Sequence, residues 1–245
     1  MMHGTWVIFK RELRGYFVSA IAYLVAFAVL FLAGMVFMID LRDRNGYVAA
    51  DGTVVLSFFS FAMVFLAPLL TMRLFAEETR EGTLELLLTM PLRDPEIVLG
   101  KFLGAWAFYS LLLAATVIYP VILVLVGNPD FGAVISGYIG AWLYGGALIA
   151  IGLLFSALTE NQIVAAFLSI TVLFVLWLAD SIGSLFANMG VELAQVIRTL
   201  SLRSHQSTSF LMGIVRPEDI VFYVGLMAVM LFVCTQVVAS RRWRG

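Results

Sequence analysis

The chain has 245 residues, 62% hydrophobic and 13% charged, with a net charge of −1. A mean hydropathy of +1.01 and a charge content far below the roughly 25% of soluble domains exclude an ordinary water-soluble globule and imply an integral membrane protein. The near-neutral balance leaves no basic footprint for nucleic acid, the single Cys234 can form no internal disulfide, and His3 and His205 are too few and too far apart for a metal site.

Residues 5–17 read as an amphipathic helix. Trp6, Phe9, Leu13, Tyr16 and Phe17 share one face while Arg11 and Arg14 lie off it, a pattern suited to a helix lying flat on a membrane surface; a plain extension of the first span is the alternative. Six apolar runs follow at residues 17–39, 54–75, 96–126, 133–158, 162–179 and 219–239. At 1.5 Å per residue each can cross a hydrocarbon core of about 30 Å. The first is too long for a cleaved leader and lacks a cleavage-type ending. The expected fold class is therefore all-α integral membrane, a single transmembrane domain over 1–245 with six transmembrane helices.

An even number of spans puts both ends of the sequence on one side. Ten Lys and Arg residues fall in the connections on that side and five on the other, so the ends and the connection between spans 2 and 3 are expected to be cytoplasmic. The localisation implied is a bacterial-type plasma (inner) membrane, multi-pass.

The first outer loop, 40–53, reads as a simple turn. The connection from Arg73 to Lys101 is the one stretch dense in carboxylates. Glu77, Glu78, Glu81 and Glu85 would face the negative end of a helix that stopped near Phe75, so the break is expected instead at Gly82, with Thr83 capping a new short helix and Glu85 near its positive end. That helix, Leu84 to about Met90, carries Leu84, Leu87 and Leu88 on one face and stops before Pro91. Asp94 as N-cap, Pro95 at the first helical position and Glu96 in the first turn start the third span. The short helix is read as a docking surface for a soluble partner, or as a helix resting on the membrane interface. Lys101 is expected to snorkel at the edge of the third span.

Pro120 should kink that span or free a carbonyl, and Gly127-Asn128-Pro129-Asp130 signals a turn. The fourth span is rich in small residues, Ser136, Gly137, Gly140, Gly145, Gly146, Gly152 and Ser156, which lets helices approach closely within one subunit or between subunits. Glu160, Asn161 and Gln162, after Thr159, would form a secondary cytoplasmic contact. Asp180 is placed at the outer end of the fifth span. In the outer segment 180–218, Leu193, Val196, Ile197 and Leu200, and then Phe210, Leu211, Ile214 and Val215, suggest two short helices dipping partway into the outer leaflet or lying on it; a soluble cap is the alternative. A polar cluster including Arg203, His205, Gln206 and Ser207 would line the mouth of a pathway or stand as a solvated loop. Arg241, Arg242, Trp243 and Arg244 form a terminal anchor.

The loop sequence MRLFAEETREGTLELLLTMP followed by IVLGKFLG resembles the cytoplasmic loop of ABC-2 type transporter permeases, and among them the gliding-motility-associated family. GNPDFG, SALTENQIVA and SHQSTSFLMGIVRPEDIVFY, in the same order along the chain, resemble that family as well. The resemblance implies an N-terminal interfacial helix, a cytoplasmic coupling helix between spans 2 and 3, and short re-entrant or interfacial outer helices between spans 5 and 6. It further implies a coupling site for a cytoplasmic ABC ATPase subunit at Glu77, Glu78, Glu81, Gly82, Thr83, Leu84, Glu85, Leu87 and Leu88, with the leucines as anchors buried in that subunit's groove. Other implied partners are a second copy of this chain or a related permease, membrane lipid, and a companion with an extracytoplasmic domain.

The chain itself should bind no cofactor, and ATP and Mg are expected in the partner subunit. Gly100-Lys101 is followed by Phe102 and lacks the upstream glycine of a phosphate-cradling loop, so this chain is not expected to be the ATPase. An intramembrane enzyme would need a polar catalytic set within the spans, and none is seen. A secondary transporter or channel driven without ATP remains the alternative, although it would be expected to show midplane charges or paired interrupted helices.

Overall fold

The computed structural model describes residues 2–43, 52–126, 129–186 and 201–242. Among these residues the regular elements are all helical. In chain order they are α1 (Met2–Val18), α2 (Ala20–Asp43), α3 (Val54–Thr71), α4 (Ala76–Arg80), α5 (Thr83–Thr89), α6 (Asp94–Ala115) and α7 (Ile118–Val126). Then come α8 (Phe131–Leu158), α9 (Gln162–Phe186), α10 (Leu202–Thr208), a 3₁₀ turn at Phe210–Met212, and α11 (Pro217–Arg242). Among the described residues six stretches are long and apolar enough to cross a membrane: Ala20–Arg42, Val54–Arg80, Asp94–Leu125, Phe131–Leu158, Gln162–Gly183 and Pro217–Arg241.

Helix α8 is the most buried of the six and forms the axis of the bundle, touching α3, α6, α9 and α11. Its small residues make this possible. Gly140 faces the Phe210 ring, Gly145 the Tyr109 ring and Gly152 the Thr71 side chain, each too close to admit a Cβ. Where hydrocarbon surrounds a bundle, apolar burial gives helices little reason to associate, and close packing and interhelical hydrogen bonds take over. Both occur along α8. Tyr109 Oη donates to the Ala141 carbonyl at 2.7 Å and Ser136 Oγ to the Phe210 carbonyl at 2.6 Å. The small-residue stripe thus serves packing within one chain.

The third span is broken at Thr116–Val117. Pro120 has no N–H to give to the Thr116 carbonyl, which instead accepts from the Tyr119 N–H at 3.1 Å. Asp130 caps α8, its Oδ1 accepting from the Gly132 N–H at 2.8 Å.

Several expectations are corrected. Helix α9 continues to Phe186, so Asp180 lies inside a helix and half-buried, not at its end. Helix α6 is capped by Arg93, whose N–H donates to the Glu96 carboxylate at 3.2 Å, and Asp94 is already helical. The stretch 201–213 is no solvated loop: α10 and the 3₁₀ turn pack on α8, α10 also touches α9, and Leu202, Gln206, Ser209 and Phe210 are buried. Leu193, Val196, Ile197 and Leu200, most of the first outer loop, and Trp243 and Arg244 lie outside the described residues.

Candidate functional site

The carboxylate-rich loop closes one end of the bundle. Two breaks shape it, where the sequence led us to expect one. The first lies at 72–75, between α3 and α4, and Ser156 of α8 makes it possible. Ser156 Oγ accepts from the Phe75 and Ala76 N–H groups at 3.1 and 3.2 Å and meets the Met72 carbonyl at 3.1 Å. These are backbone groups that a helix start and a helix end leave without partners. Glu77 and Glu78 consequently sit in the first turn of α4, where the helix dipole favours them.

The second break is Gly82, in the left-handed region at φ +71°, where a Cβ would be strained. Thr83 does not cap α5 by accepting a backbone N–H. It is the first residue of that helix, and its hydroxyl donates to the Glu78 carbonyl at 3.3 Å.

The face assigned to the leucines is also corrected. Leu84, Leu87 and Leu88 are 4%, 4% and 8% exposed and belong to the chain's own core. A seven-residue helix cannot hold itself in water. Burying three leucines, each worth about 1.5–3 kcal/mol when fully covered, fixes it on the nearest apolar surface, which is the bundle. The outward face is formed instead by Glu81, Gly82, Thr83, Glu85, Leu86, Thr89 and Met90, with Leu86 and Met90 65% and 50% exposed.

Beneath the loop lies an ionic network, buried at Lys101 and open to solvent at Arg11, that sequence reasoning missed. Lys101 does not snorkel; its side chain is 1% exposed. Its Nζ donates to the Leu74 carbonyl at 2.6 Å and pairs with Glu12 at 3.0 Å and Glu78 at 2.9 Å. Arg11 bonds the same two carboxylates, at 2.5 and 2.6 Å. Burial alone would raise the Glu12 carboxyl, but the Lys101 ammonium and the Arg11 guanidinium outweigh it and hold it below its ordinary value. Two cations and two anions thus join α1, α4 and α6.

Glu12 can take this position because α1 runs in step alongside α6. Ile8 lies over Gly100, Glu12 over Gly104, and the Tyr16 ring stacks on Phe108 with centroids 4.9 Å apart. The inward stripe of α1 is therefore Ile8, Glu12 and Tyr16, rotated from the face expected; Trp6 and Phe17 are exposed. Two signals could have revealed it. Gly100 and Gly104 form a small-xxx-small pair, and Glu12 stands four residues from both Ile8 and Tyr16 on one helical face.

Other elements converge on the same end. Tyr16 Oη donates to the Leu70 carbonyl at 2.6 Å, and Arg241 Nη1 to Thr79 Oγ1 at 3.0 Å. Helix α4 also touches α8 and α9. Between those helices Glu160 and Asn161 are exposed and Gln162 half-buried, with Asn161 Oδ1 accepting the Ile163 N–H at 2.9 Å.

The polar cluster at the opposite end is divided in its roles. Gln206 is buried and its Nε2 donates to Ser60 Oγ. Ring stacking places His205 over Phe222 at 4.1 Å, with Nδ1 2.6 Å from Asp219. Arg203 lies over the Trp177 ring, and Ser207 is half-buried. Among the described residues no group of three His, Cys, Asp or Glu side chains could hold a metal ion.

The junction therefore presents a short helix outward and ties it inward to five spans and the N-terminal helix. No curated protein matches the chain. Residues 5–241 match the family model of the ABC-2 family transporter protein, and the chain belongs to that family.

Proposed function

We propose that this ABC-2 family member is the permease subunit of an ATP-driven, exporter-like transporter and that α5 is its coupling helix. A separate cytoplasmic ABC ATPase subunit, which binds ATP and Mg, docks on the outward face of α5, and the bundle converts its movements into substrate passage. The observation that carries this reading is the division of α5 into two faces. Leu84, Leu87 and Leu88 fasten it to the bundle, while Leu86 and Met90 stand exposed among Glu81 and Glu85. An apolar centre with an acidic rim is the pattern of a protein-docking patch. Glu160 and Asn161, at the α8–α9 turn near α4, supply the secondary contact.

The loop then lies in the cytoplasm, in keeping with the excess of basic residues on that side. Helix α1 lines the membrane interface, and α10 with its 3₁₀ turn is a re-entrant element on the outer side. A second copy of this chain or a related permease completes the pathway. The loop motif supports the narrower kinship with gliding-motility-associated permeases and, with it, a companion bearing an extracytoplasmic domain.

Leu86→Asp tests the docking face. It should abolish co-purification of the ATPase subunit while leaving the permease's thermal midpoint unchanged, whereas Leu87→Asp should unfold the junction itself. Undiminished assembly and coupled hydrolysis in Leu86→Asp would remove α5 as the coupling helix.

A further inference from the structure

The junction between α1 and α2 and the last turn of α3 enclose a cavity of about 460 Å³ that no step above uses. Its two walls differ in kind. One is hydrocarbon: Ile21, Ala22 and Val25 from the first turns of α2, with Leu69 and Leu70 from the end of α3. The other is ionic, built from Arg73, Glu77, Glu81 and the Arg11–Glu12–Glu78–Lys101 network.

That network is internally neutral, since each of its two cations pairs with both of its anions. The remaining three charges are not satisfied by the protein. Among the described residues the side chains of Arg73, Glu77 and Glu81 form no hydrogen bond or ion pair, and Arg73 Nε is buried without a partner. Arg73 and Glu77 are half-buried, and such groups are normally paired, while Glu81 is exposed at the cavity's rim, where it also borders the outward face of α5. The cavity therefore offers an unmatched cation and two unmatched anions beside an apolar wall, in a volume typical of a small-molecule site.

We propose that this cavity binds a zwitterionic amphiphile of the aminophospholipid type. Its phosphate lies on Arg73, its ammonium against Glu77 and Glu81, and its hydrocarbon along Ile21, Val25 and Leu69. A free anion fits poorly, because two carboxylates oppose it and half the wall is apolar. A soluble protein fits poorly too, because the apolar wall is made of spanning helices and faces hydrocarbon. A lipid in the leaflet bordering the loop presents both chemistries at that depth. Gly15, which lines the cavity with open space where a Cβ would stand, keeps it unobstructed. The inference rests on the reading of the helices as membrane spans and not on the identity of the ATPase subunit.

The test is lipid binding to the purified full-length chain without any ATPase, read by native mass spectrometry. The probes are dihexanoyl phosphatidylethanolamine, dihexanoyl phosphatidylglycerol, dihexanoylglycerol and phosphoethanolamine. The expected result is one saturable site, at least tenfold tighter for the phosphatidylethanolamine than for the other three. Arg73→Gln should weaken it tenfold or more. Glu77→Gln with Glu81→Gln should erase the preference over phosphatidylglycerol without losing binding, an inversion that mere destabilisation would not produce. Gly15→Leu, which keeps every charge and suits a helix, should block the site. Equal affinity for the two phospholipids, phosphoethanolamine binding as tightly as the lipid, or binding unaltered by Arg73→Gln would each overturn the proposal. So would displacement of the probe by added ATPase subunit together with loss of that subunit's binding in Arg73→Gln, since the cavity would then be a protein-docking groove. Failure of the ATPase to co-purify with the wild-type chain would contradict the coupling reading and leave this site standing.

Discussion

Replacing Lys101 by Met removes one charge from the network while roughly keeping the side chain's length and its fit among apolar neighbours. The Lys101 side chain is 1% exposed, and those of Glu12 and Glu78 are 15% and 19% exposed, so solvent can do little to compensate. Breaking a buried ion pair from one side costs about 3–5 kcal/mol, because the opposite charge is left behind. The lower end applies here, since Arg11 still holds Glu78 at 2.6 Å; the Leu74 carbonyl loses its 2.6 Å donor as well. For a chain of this length each kcal/mol shifts the unfolding midpoint by about 2–4 °C. Lys101→Met should therefore melt roughly 6–12 °C below wild type in detergent.

The double variant Lys101→Met/Glu78→Gln discriminates a network from a sum of pairs. It leaves Arg11 with Glu12, one cation to one anion, so its loss should be smaller than the sum of the two single losses by about 1 kcal/mol or more. A Lys101→Met midpoint within a degree or two of wild type, or strict additivity in the double variant, would refute a buried, coupled network.

Four further outcomes are expected. Ser156→Ala strips one hydroxyl from the Phe75 and Ala76 N–H groups and the Met72 carbonyl, costing about 1–3 kcal/mol; hydrogen exchange at Phe75 and Ala76 should rise while the amides of α9 keep their protection. Gly82→Ala puts a Cβ at φ +71° and should cost about 1–2 kcal/mol, measured as a lower midpoint with α5 displaced, whereas Gly82→Asn should be milder. Gly145→Ala runs into the Tyr109 ring and should cost about 1–3 kcal/mol, an effect Tyr109→Leu should partly relieve. The fourth concerns pH. The folded Glu12 carboxyl titrates below its ordinary value of 4.5, so its ionised form stabilises the fold above that value and the contribution is lost as pH falls through the folded value. Glu12→Gln should accordingly lower the midpoint at pH 7, and the gap to wild type should close as pH drops below about 4.5.

The sequence disclosed the six spans because hydrocarbon thickness fixes run length, and it disclosed the turn at Gly82 because few residues tolerate that backbone. The face of α5 was not legible. Leu84, Leu87 and Leu88 share one side of the helix whether they bury in a partner or in their own bundle, and periodicity cannot name the neighbour. Lys101 was misjudged for a related reason: a lysine near a span end usually reaches water, and only the glycines at 100 and 104, by admitting α1, bring Glu12 over it. The break at 72–75 was hidden because its cause, the Ser156 hydroxyl, lies some 80 residues away. Asp180 misled in the opposite direction, since a single carboxylate ended an apolar run without ending the helix.

These misreadings share a consequence for how the loop can act. If the leucines of α5 had been free to enter a partner's groove, the helix could rock by itself on the flexible Gly82. Instead α5 is fastened by its oily face, and α4 by Ser156, by Arg241 through Thr79 and by the ionic network to α1 and α6. A force applied at Leu86 therefore reaches the ends of α3, α6, α8 and α11 together. Packed elements of this kind shift as rigid bodies between discrete arrangements and do not bend continuously. A partner can favour one arrangement only through contacts that differ between the two, and the outward face of α5 offers them. The Arg11–Glu12–Glu78–Lys101 network then sets how stiffly α1 follows that movement. Under the coupling role proposed for α5, weakening the network should cost transport per ATP hydrolysed more than hydrolysis itself, a ratio that docking-face variants such as Leu86→Asp, expected to lose the partner outright, should not reproduce.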